Sequence, residues 1–133
     1  MSDSIKHECG IALLRLLKPL KYYQEKYNSL FFGIYKMYLM LEKQHNRGQD
    51  GAGFASIKFD MNPGDGFMSR VRSSENQPIQ DIFSTINSDL NEVFQELGKN
   101  NLTDLEIKQA YPYLGELMMG HLRYGTFGNN GIG

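Results

Sequence analysis

Apolar and polar positions follow two different periods along the chain, and the first part predicts a strand and then a helix. An almost continuous apolar run from Cys9 to Leu17 is typical of a strand that is buried on both faces. A tyrosine-rich segment follows it. From Leu30 to Leu41 the apolar residues recur at helical spacing, which predicts a helix with Ser29 as its N-cap and Gly48 at its end.

The middle of the chain predicts a β-hairpin. Ala52 to Phe59 has the composition of a strand, and a second short strand runs from Phe67 to Val71. Between them, residues 62–66 combine asparagine, proline, aspartate and two glycines. These residue types favour a tight turn, so the two strands are expected to pair.

The last part of the chain predicts two helices and a strand. A regular apolar stripe runs from Ile79 to Leu97, and Gly98 follows it as the predicted C-terminal cap. Thr103 and Glu106 have the spacing of a capping box for a short helix. Leu117 to Tyr124 is the predicted final strand. This order of elements predicts the α+β fold class.

Composition excludes several classes of protein. The 133 residues are enough for one domain with a hydrophobic core, and a net charge of -1 gives no basic surface for nucleic acid or membrane. No apolar run is long enough to span a bilayer, and the first residues lack the apolar stretch of a signal peptide. The single cysteine is typical of a reducing compartment. We therefore predict a cytoplasmic protein that binds neither nucleic acid nor membrane.

Three short motifs punctuated by glycine carry the candidate chemistry. In chain order they are Cys9-Gly10-Ile11, Arg47-Gly48-Gln49-Asp50-Gly51-Ala52-Gly53 and Gly120-His121-Leu122-Arg123-Tyr124-Gly125-Thr126. A thiol becomes a strong nucleophile only as the thiolate, so it needs a base nearby. At a chain terminus the α-amino group, which titrates near ~8, would be that base. This interpretation requires cleavage between Glu8 and Cys9. The alternative is a structural cysteine at the start of an apolar strand.

As an ordered set, these motifs resemble those of the class II glutamine amidotransferases. The resemblance covers Cys9 to Gly128 and implies the αββα sandwich of the N-terminal nucleophile hydrolases. It implies that residues 1–8 are a pro-segment and that residues 9–133 are the N-terminal part of a truncated glutaminase domain. By resemblance Cys9 is the catalytic nucleophile, Gly48 offers a carbonyl to the freed amine, and Arg47 braces the loop.

A glutaminase must also hold the α-carboxylate of glutamine, and the guanidinium fork suits that task. Arg123 is the candidate. The resemblance implies that Tyr124, Thr126 and Phe127 line the same substrate pocket. His121 is expected to be a packed or hydrogen-bonded histidine rather than a catalyst.

Within the family, Gln49 and Tyr124 favour the amidophosphoribosyltransferases, and Phe127 replaces a histidine of some sugar-transferring members. Asn46 separates His45 from Arg47, whereas most members have His-Arg directly. The resemblance then implies that released ammonia converts phosphoribosyl diphosphate to phosphoribosylamine in purine biosynthesis. The phosphoribosyltransferase half, with its magnesium, would follow this domain, and the full-length protein would be a homo-oligomer. No metal or organic cofactor is implied for residues 9–133. The fragment alone is expected to be inactive.

Other interpretations remain open at this point. The chain is alternatively another class II amidotransferase, either sugar-phosphate-converting or glutamate-forming, or a non-catalytic binding module with the same fold. A metal site at His7 and Cys9 is disfavoured, because these two side chains do not complete the usual four ligands. The donors that stabilise the oxyanion are expected beyond Gly133, with Asn130-Gly131 as a loop.

Overall fold

The structure is a computed structural model that describes residues 9–44 and 49–124. It contains an antiparallel sheet and four helices, which confirms the α+β class. In chain order the elements are β1 (Cys9–Arg15), α1 (Leu20–Tyr27), α2 (Phe32–Lys43), β2 (Gln49–Ile57), β3 (Met68–Ser73), α3 (Pro78–Leu97), α4 (Asp104–Ala110) and β4 (Leu117–Tyr124).

The sheet has the strand order β1-β4-β2-β3, so the last strand of the described chain lies near its centre. β4 pairs antiparallel with both β1 and β2. The predicted hairpin is confirmed: β2 and β3 pair antiparallel, with Ile57 opposite Met68 beside the turn. Because β4 runs against both of its neighbours, the end of β4 lies next to the starts of β1 and β2.

One face of the sheet carries the hydrophobic core, which α2 and α3 cover. Successive strand residues point to opposite faces, so every second residue contributes to it. The fully buried side chains include Met37 and Leu41 of α2, Ile82 and Ile86 of α3, and Leu122 of β4.

The other face of the sheet is open to solvent. Ile11 is 63 % exposed and Leu13 is 61 % exposed, while Ala12 between them is buried. The prediction that β1 is buried on both faces is therefore wrong for the described chain, because helices cover one face alone. We call this solvent-facing side, which includes Ile11, Leu13 and Met119, the open face. Within the described residues, no helix combines the length and apolar character needed to cross a membrane.

The region between β1 and α2 differs from the prediction. The tyrosine-rich segment forms α1, which begins after Pro19. Asn28, the residue after the helix, has a left-handed backbone conformation (φ 56°). Ser29 is not the N-cap of α2, because that helix begins at Phe32 with Phe31 in the cap position. Instead, the Ser29 hydroxyl accepts a hydrogen bond from the Phe31 amide at 3.1 Å. The ring of Phe32 stacks on Tyr27, with centroids 4.2 Å apart, and joins the two helices.

The second half of the chain follows the prediction closely. The capping box is confirmed: the Thr103 hydroxyl accepts from the Glu106 amide at 3.1 Å, and Glu106 accepts from the Thr103 amide at 2.9 Å. Gly98 is the residue after α3, as predicted, but it is right-handed (φ −62°) rather than left-handed. A Cβ there would lie 2.5 Å from the Phe94 carbonyl oxygen, so close approach explains the glycine.

A buried polar network fastens α4 to the hairpin at the end of the sheet opposite the N-terminus of β1. Lys108 is 3 % exposed, and its Nζ donates to Glu116 Oε2 at 2.8 Å. The other carboxylate oxygen of Glu116 accepts from the Phe59 amide at 2.9 Å. Lys58 Nζ donates to the Tyr111 carbonyl at 2.7 Å. Each buried charge thus has partners, as burial requires.

Candidate functional site

The backbone register brings the three sequence motifs together at one end of the sheet. Cys9 pairs with Arg123 across β1 and β4, and Gly51 pairs with Arg123 across β2 and β4. Residues directly opposite in an antiparallel pair have Cα atoms about 4.5–5.5 Å apart. Arg123 therefore lies between the candidate nucleophile and the Arg-Gly motif. Segments separated by more than a hundred residues in sequence are neighbours here.

The described residues on either side of Arg47 and Gly48 lie at the same end of the sheet. Before them, Gln44 packs directly on Gly10, where an added Cβ would lie 2.1 Å from Gln44 Oε1. Its Nε2 also donates to the Ile11 carbonyl at 3.4 Å. After them, Gln49 pairs with Tyr124. Gln44 thus contacts the strand that carries Cys9, and Gln49 pairs with the strand that carries Arg123.

Several of the predicted site residues lie outside the described residues, namely Arg47, Gly48, Thr126 and Phe127. The same holds for His7 and Glu8, and for the Asn130-Gly131 loop. For Cys9 and Tyr124 the structure describes the position of the backbone in β1 and β4, and the strand pairing depends on that backbone alone.

The Arg123 side chain is exposed on the strand. Among the described residues it forms no ion pair. A guanidinium group in this position would bind a carboxylate through two parallel hydrogen bonds.

Two motif glycines leave room for side chains of neighbouring elements. A Cβ at Gly120 would lie 2.8 Å from Leu41 Cδ1 and 2.9 Å from Met37 Sδ, so this glycine lets α2 pack on β4. A Cβ at Gly53 would lie 2.3 Å from His121 Nε2. The imidazole ring of His121 therefore lies against the β2 backbone, although the residue is exposed on the open face.

A basic surface next to this site was not predicted from the sequence. Arg70 and Arg72 of β3 are exposed on the open face, and with His121 they line a concavity of about 490 Å³. The spacing of two residues between the arginines was the available signal, because residues i and i+2 of a strand share a face. The strand order, which places β3 two strands from His121, was not predictable from that spacing.

The groups with shifted pKa values lie away from this site. Burial, and then the charge of Lys108, lowers the pKa of Lys58 below 10.5. Burial raises the pKa of Tyr111 and Tyr113 above 10.0, and for Tyr113 a hydrogen bond to Asp89 adds to the effect. Lys58 and Tyr111 belong to the network that fastens α4, so these shifts indicate structural roles. Over residues 9–44 and 49–124, His, Cys, Asp and Glu form no group of three or more that would hold a metal ion.

Comparison of the chain with protein-family models, with curated protein sequences and with solved structures gives no match.

Proposed function

We propose that this chain is the N-terminal part of a glutaminase domain of the class II glutamine amidotransferase type. The observation that carries the proposal is the register that aligns Cys9, Arg123 and Gly51 on three neighbouring strands. The three motifs resemble the family's motifs in sequence. Their common location is what a single active site made from them requires.

The proposed reaction begins with cleavage of the Glu8–Cys9 bond, which frees the Cys9 amine. The amine takes the thiol proton, and the sulfur attacks the side-chain amide carbon of glutamine. The tetrahedral intermediate collapses to a thioester as protonated nitrogen leaves as ammonia. Water then hydrolyses the thioester to glutamate and restores the thiol. Arg123 holds the substrate α-carboxylate throughout, with Tyr124, Thr126 and Phe127 around it.

The proposal assigns supporting roles to Arg47 and Gly48. The Gly48 carbonyl would accept a hydrogen bond from the freed amine and hold it beside the sulfur. Arg47 would brace the loop. Gln44 and Gln49, the described residues that flank this segment, both lie at this end of the sheet, which supports these roles.

The open face of the sheet supports the αββα sandwich as the complete fold. Its apolar residues include Ile11, Leu13 and Met119, which is 41 % exposed. A second sheet packed about 10 Å away would bury them. In this proposal the second sheet and the oxyanion donors come from chain beyond Gly133.

The ammonia acceptor is proposed to be phosphoribosyl diphosphate, bound with magnesium by a phosphoribosyltransferase half that follows this domain. The whole protein would then be a cytoplasmic, homo-oligomeric amidophosphoribosyltransferase. This part of the proposal is supported by the sequence resemblance at Gln49 and Tyr124.

Replacement of the carboxylate anchor tests the proposal. In the full-length protein, Arg123→Gln should raise the KM for glutamine by about 10- to 100-fold, because a charge-assisted hydrogen bond to the substrate is lost. Arg15→Gln is the matched control, since Arg15 is also an exposed arginine of the sheet but lies at its other end. An unchanged KM in Arg123→Gln, or an equal rise in both variants, would contradict the assignment.

A further inference from the structure

A cleft lies on the helical side of the molecule, between α2 and α3. Its volume of about 520 Å³ is in the range of small-molecule sites. Both helices pack on the core face of the sheet, whereas the second sheet of the proposed αββα sandwich would cover the open face. The cleft therefore remains at the surface of the complete domain.

Aromatic residues supply most of the apolar lining of the cleft, namely Phe31, Tyr35, Tyr38 and Phe83. Phe83 is 4 % exposed and Ile34 is 3 % exposed, so these two residues lie at the bottom of the cleft. Tyr38 meets Phe83 edge-on, with ring centroids 5.3 Å apart. Tyr35 is 60 % exposed, so most of its ring is available to contact a ligand.

The polar part of the lining is uncharged. It consists of hydroxyl and amide side chains, namely Ser29, Gln80, Ser84 and Asn87, and no described residue with a charged side chain lines the cleft. The charge that contacts this lining is negative, because Gln80 Nε2 donates to Glu42 Oε2 at 3.0 Å. An ionic ligand would lose its hydration here without gaining an opposite charge from the lining. The cleft therefore favours an uncharged ligand.

Two partners fix the orientation of the Gln80 amide. Its Nε2 donates to the Glu42 carboxylate and also to the Tyr38 hydroxyl, at 3.5 Å. A primary amide has two N–H donors, and both are thus used. Its carbonyl oxygen, Oε1, remains as an acceptor at the wall of the cleft. A ligand with an N–H or O–H donor would complement it.

From these contacts we propose that the cleft between α2 and α3 binds a small, uncharged aromatic molecule with a hydrogen-bond donor, such as an indole or a phenol. The ring of the ligand packs on Phe83 and Tyr35 in the edge-on or offset geometry that aromatic pairs prefer. Its donor bonds to Gln80 Oε1.

This site is independent of the proposed glutaminase chemistry. It uses none of the residues assigned to glutamine, and it lies on the opposite side of the sheet from the exposed Arg123 side chain. Loss of either proposal leaves the other standing.

Titration of the isotopically labelled 133-residue chain, followed by NMR, tests the site. Indole-3-ethanol is the uncharged probe, and indole-3-propionate is the anionic control with the same ring. Indole-3-ethanol should shift the amide signals of Tyr35, Ser84 and Asn87 in a saturable manner, and those of Ile11 and Leu13 on the open face should not move. Indole-3-propionate should bind about tenfold more weakly or worse, because its charge gains no partner in the cleft.

Two variants separate the contributions of the ring and of the amide. Tyr35→Ala should weaken the binding of indole-3-ethanol by roughly five- to tenfold. Gln80→Met, which keeps the length of the side chain but removes the acceptor, should weaken it by about three- to tenfold. Gln95→Met is the matched control, since Gln95 is also exposed on α3 but lies outside the cleft, and it should leave the binding unchanged.

Four results would overturn the proposal. The first is the absence of saturable shifts at millimolar indole-3-ethanol. The second is a set of shifts centred on Ile11 and Leu13, which would assign the binding to the open face. The third is indole-3-propionate binding as tightly as indole-3-ethanol. The last is equal weakening by Gln80→Met and Gln95→Met. The signal dispersion of each variant shows whether it is folded, and the replaced side chains are all exposed.

Discussion

At the scale of single residues, Tyr113 makes stability depend on pH. Its hydroxyl donates to Asp89 Oδ2 at 3.1 Å, between the segment before β4 and helix α3. Burial and this carboxylate raise the pKa of the phenol above its ordinary value of 10.0. A raised folded-state pKa gives stability that is complete below the unfolded-state value and is lost as pH rises through the folded-state value. Tyr111 acts in the same direction, whereas Lys58, with its lowered pKa, acts in the opposite one.

We therefore expect Tyr113→Phe to change the pH profile of unfolding. Chemical denaturation between about pH 8 and pH 11 would measure the free energy of unfolding of the variant and the unaltered chain. Below about pH 10 the variant should be less stable by roughly 1 kcal/mol, because the hydrogen bond to Asp89 is lost. Above that pH the difference should shrink, since ionisation then removes the same hydrogen bond from the unaltered chain. A difference that stays constant across the range would contradict the assignment.

The motif glycines show what the sequence does and does not reveal at this scale. Glycine recurs in all three motifs. In the structure Gly120 makes room for α2, and Gly53 makes room for His121. A sequence shows that a small residue is present, but the neighbour that needs the space comes from a distant part of the chain.

At the scale of elements, α4 depends on its N-terminal cap. The helix has seven residues, from Asp104 to Ala110, which is too short for propensity alone to stabilise it. Its capping box satisfies two backbone amides that would otherwise have no partner. The cap also positions Asp104, whose Oδ1 accepts from the Lys21 amide at 3.1 Å and so joins α4 to α1.

Replacement of the cap, Thr103→Ala, should lower the free energy of unfolding by about 1 kcal/mol. The matched control is Thr85→Ala, because Thr85 is exposed within α3 and alanine is the better helix former there. Urea denaturation of the two variants and the unaltered chain gives the comparison. If Thr85→Ala costs as much as Thr103→Ala, the cap makes no special contribution.

The elements differ in how well the pattern of apolar residues in the sequence predicted them. Strand β4, helix α3 and the capping box of α4 have long periodic patterns or a specific cap, and the structure places them as predicted. Helix α1 was missed because its tyrosines and charged residues have no apolar period, and Leu20 is its single buried residue. Contacts with other elements stabilise this helix, namely the stacking of Tyr23 on Phe32 and the hydrogen bond from the Lys21 amide to Asp104 of α4.

At the scale of the whole molecule, the open face determines whether the chain is expected to self-associate. Ile11 and Leu13 lie together on it with more than half of each side chain exposed. Neighbouring exposed apolar residues favour association when no partner covers them.

The convergence of the three motifs is also a property of this scale, because it depends on a strand order that no local pattern specifies.

We expect the 133-residue chain to self-associate through the open face. Sedimentation velocity should show a sedimentation coefficient that rises with protein concentration, and the double variant Ile11→Lys/Leu13→Lys should abolish the rise. The control is Leu17→Lys, since Leu17 is 79 % exposed but follows the end of β1. A concentration-independent monomer, or dissociation by the control alone, would contradict this role of the open face.

The central claim is that Cys9 becomes the N-terminal nucleophile of a glutaminase, and intact-mass spectrometry tests it most directly. The full-length protein would be expressed in cells and measured before and after treatment with 6-diazo-5-oxo-norleucine, a reactive glutamine analogue. We predict loss of Met1 to Glu8 and a single covalent adduct on Cys9, with no adduct in Cys9→Ala. An N-terminus that retains Glu8, together with no adduct, would contradict the glutaminase assignment and favour a non-catalytic binding module.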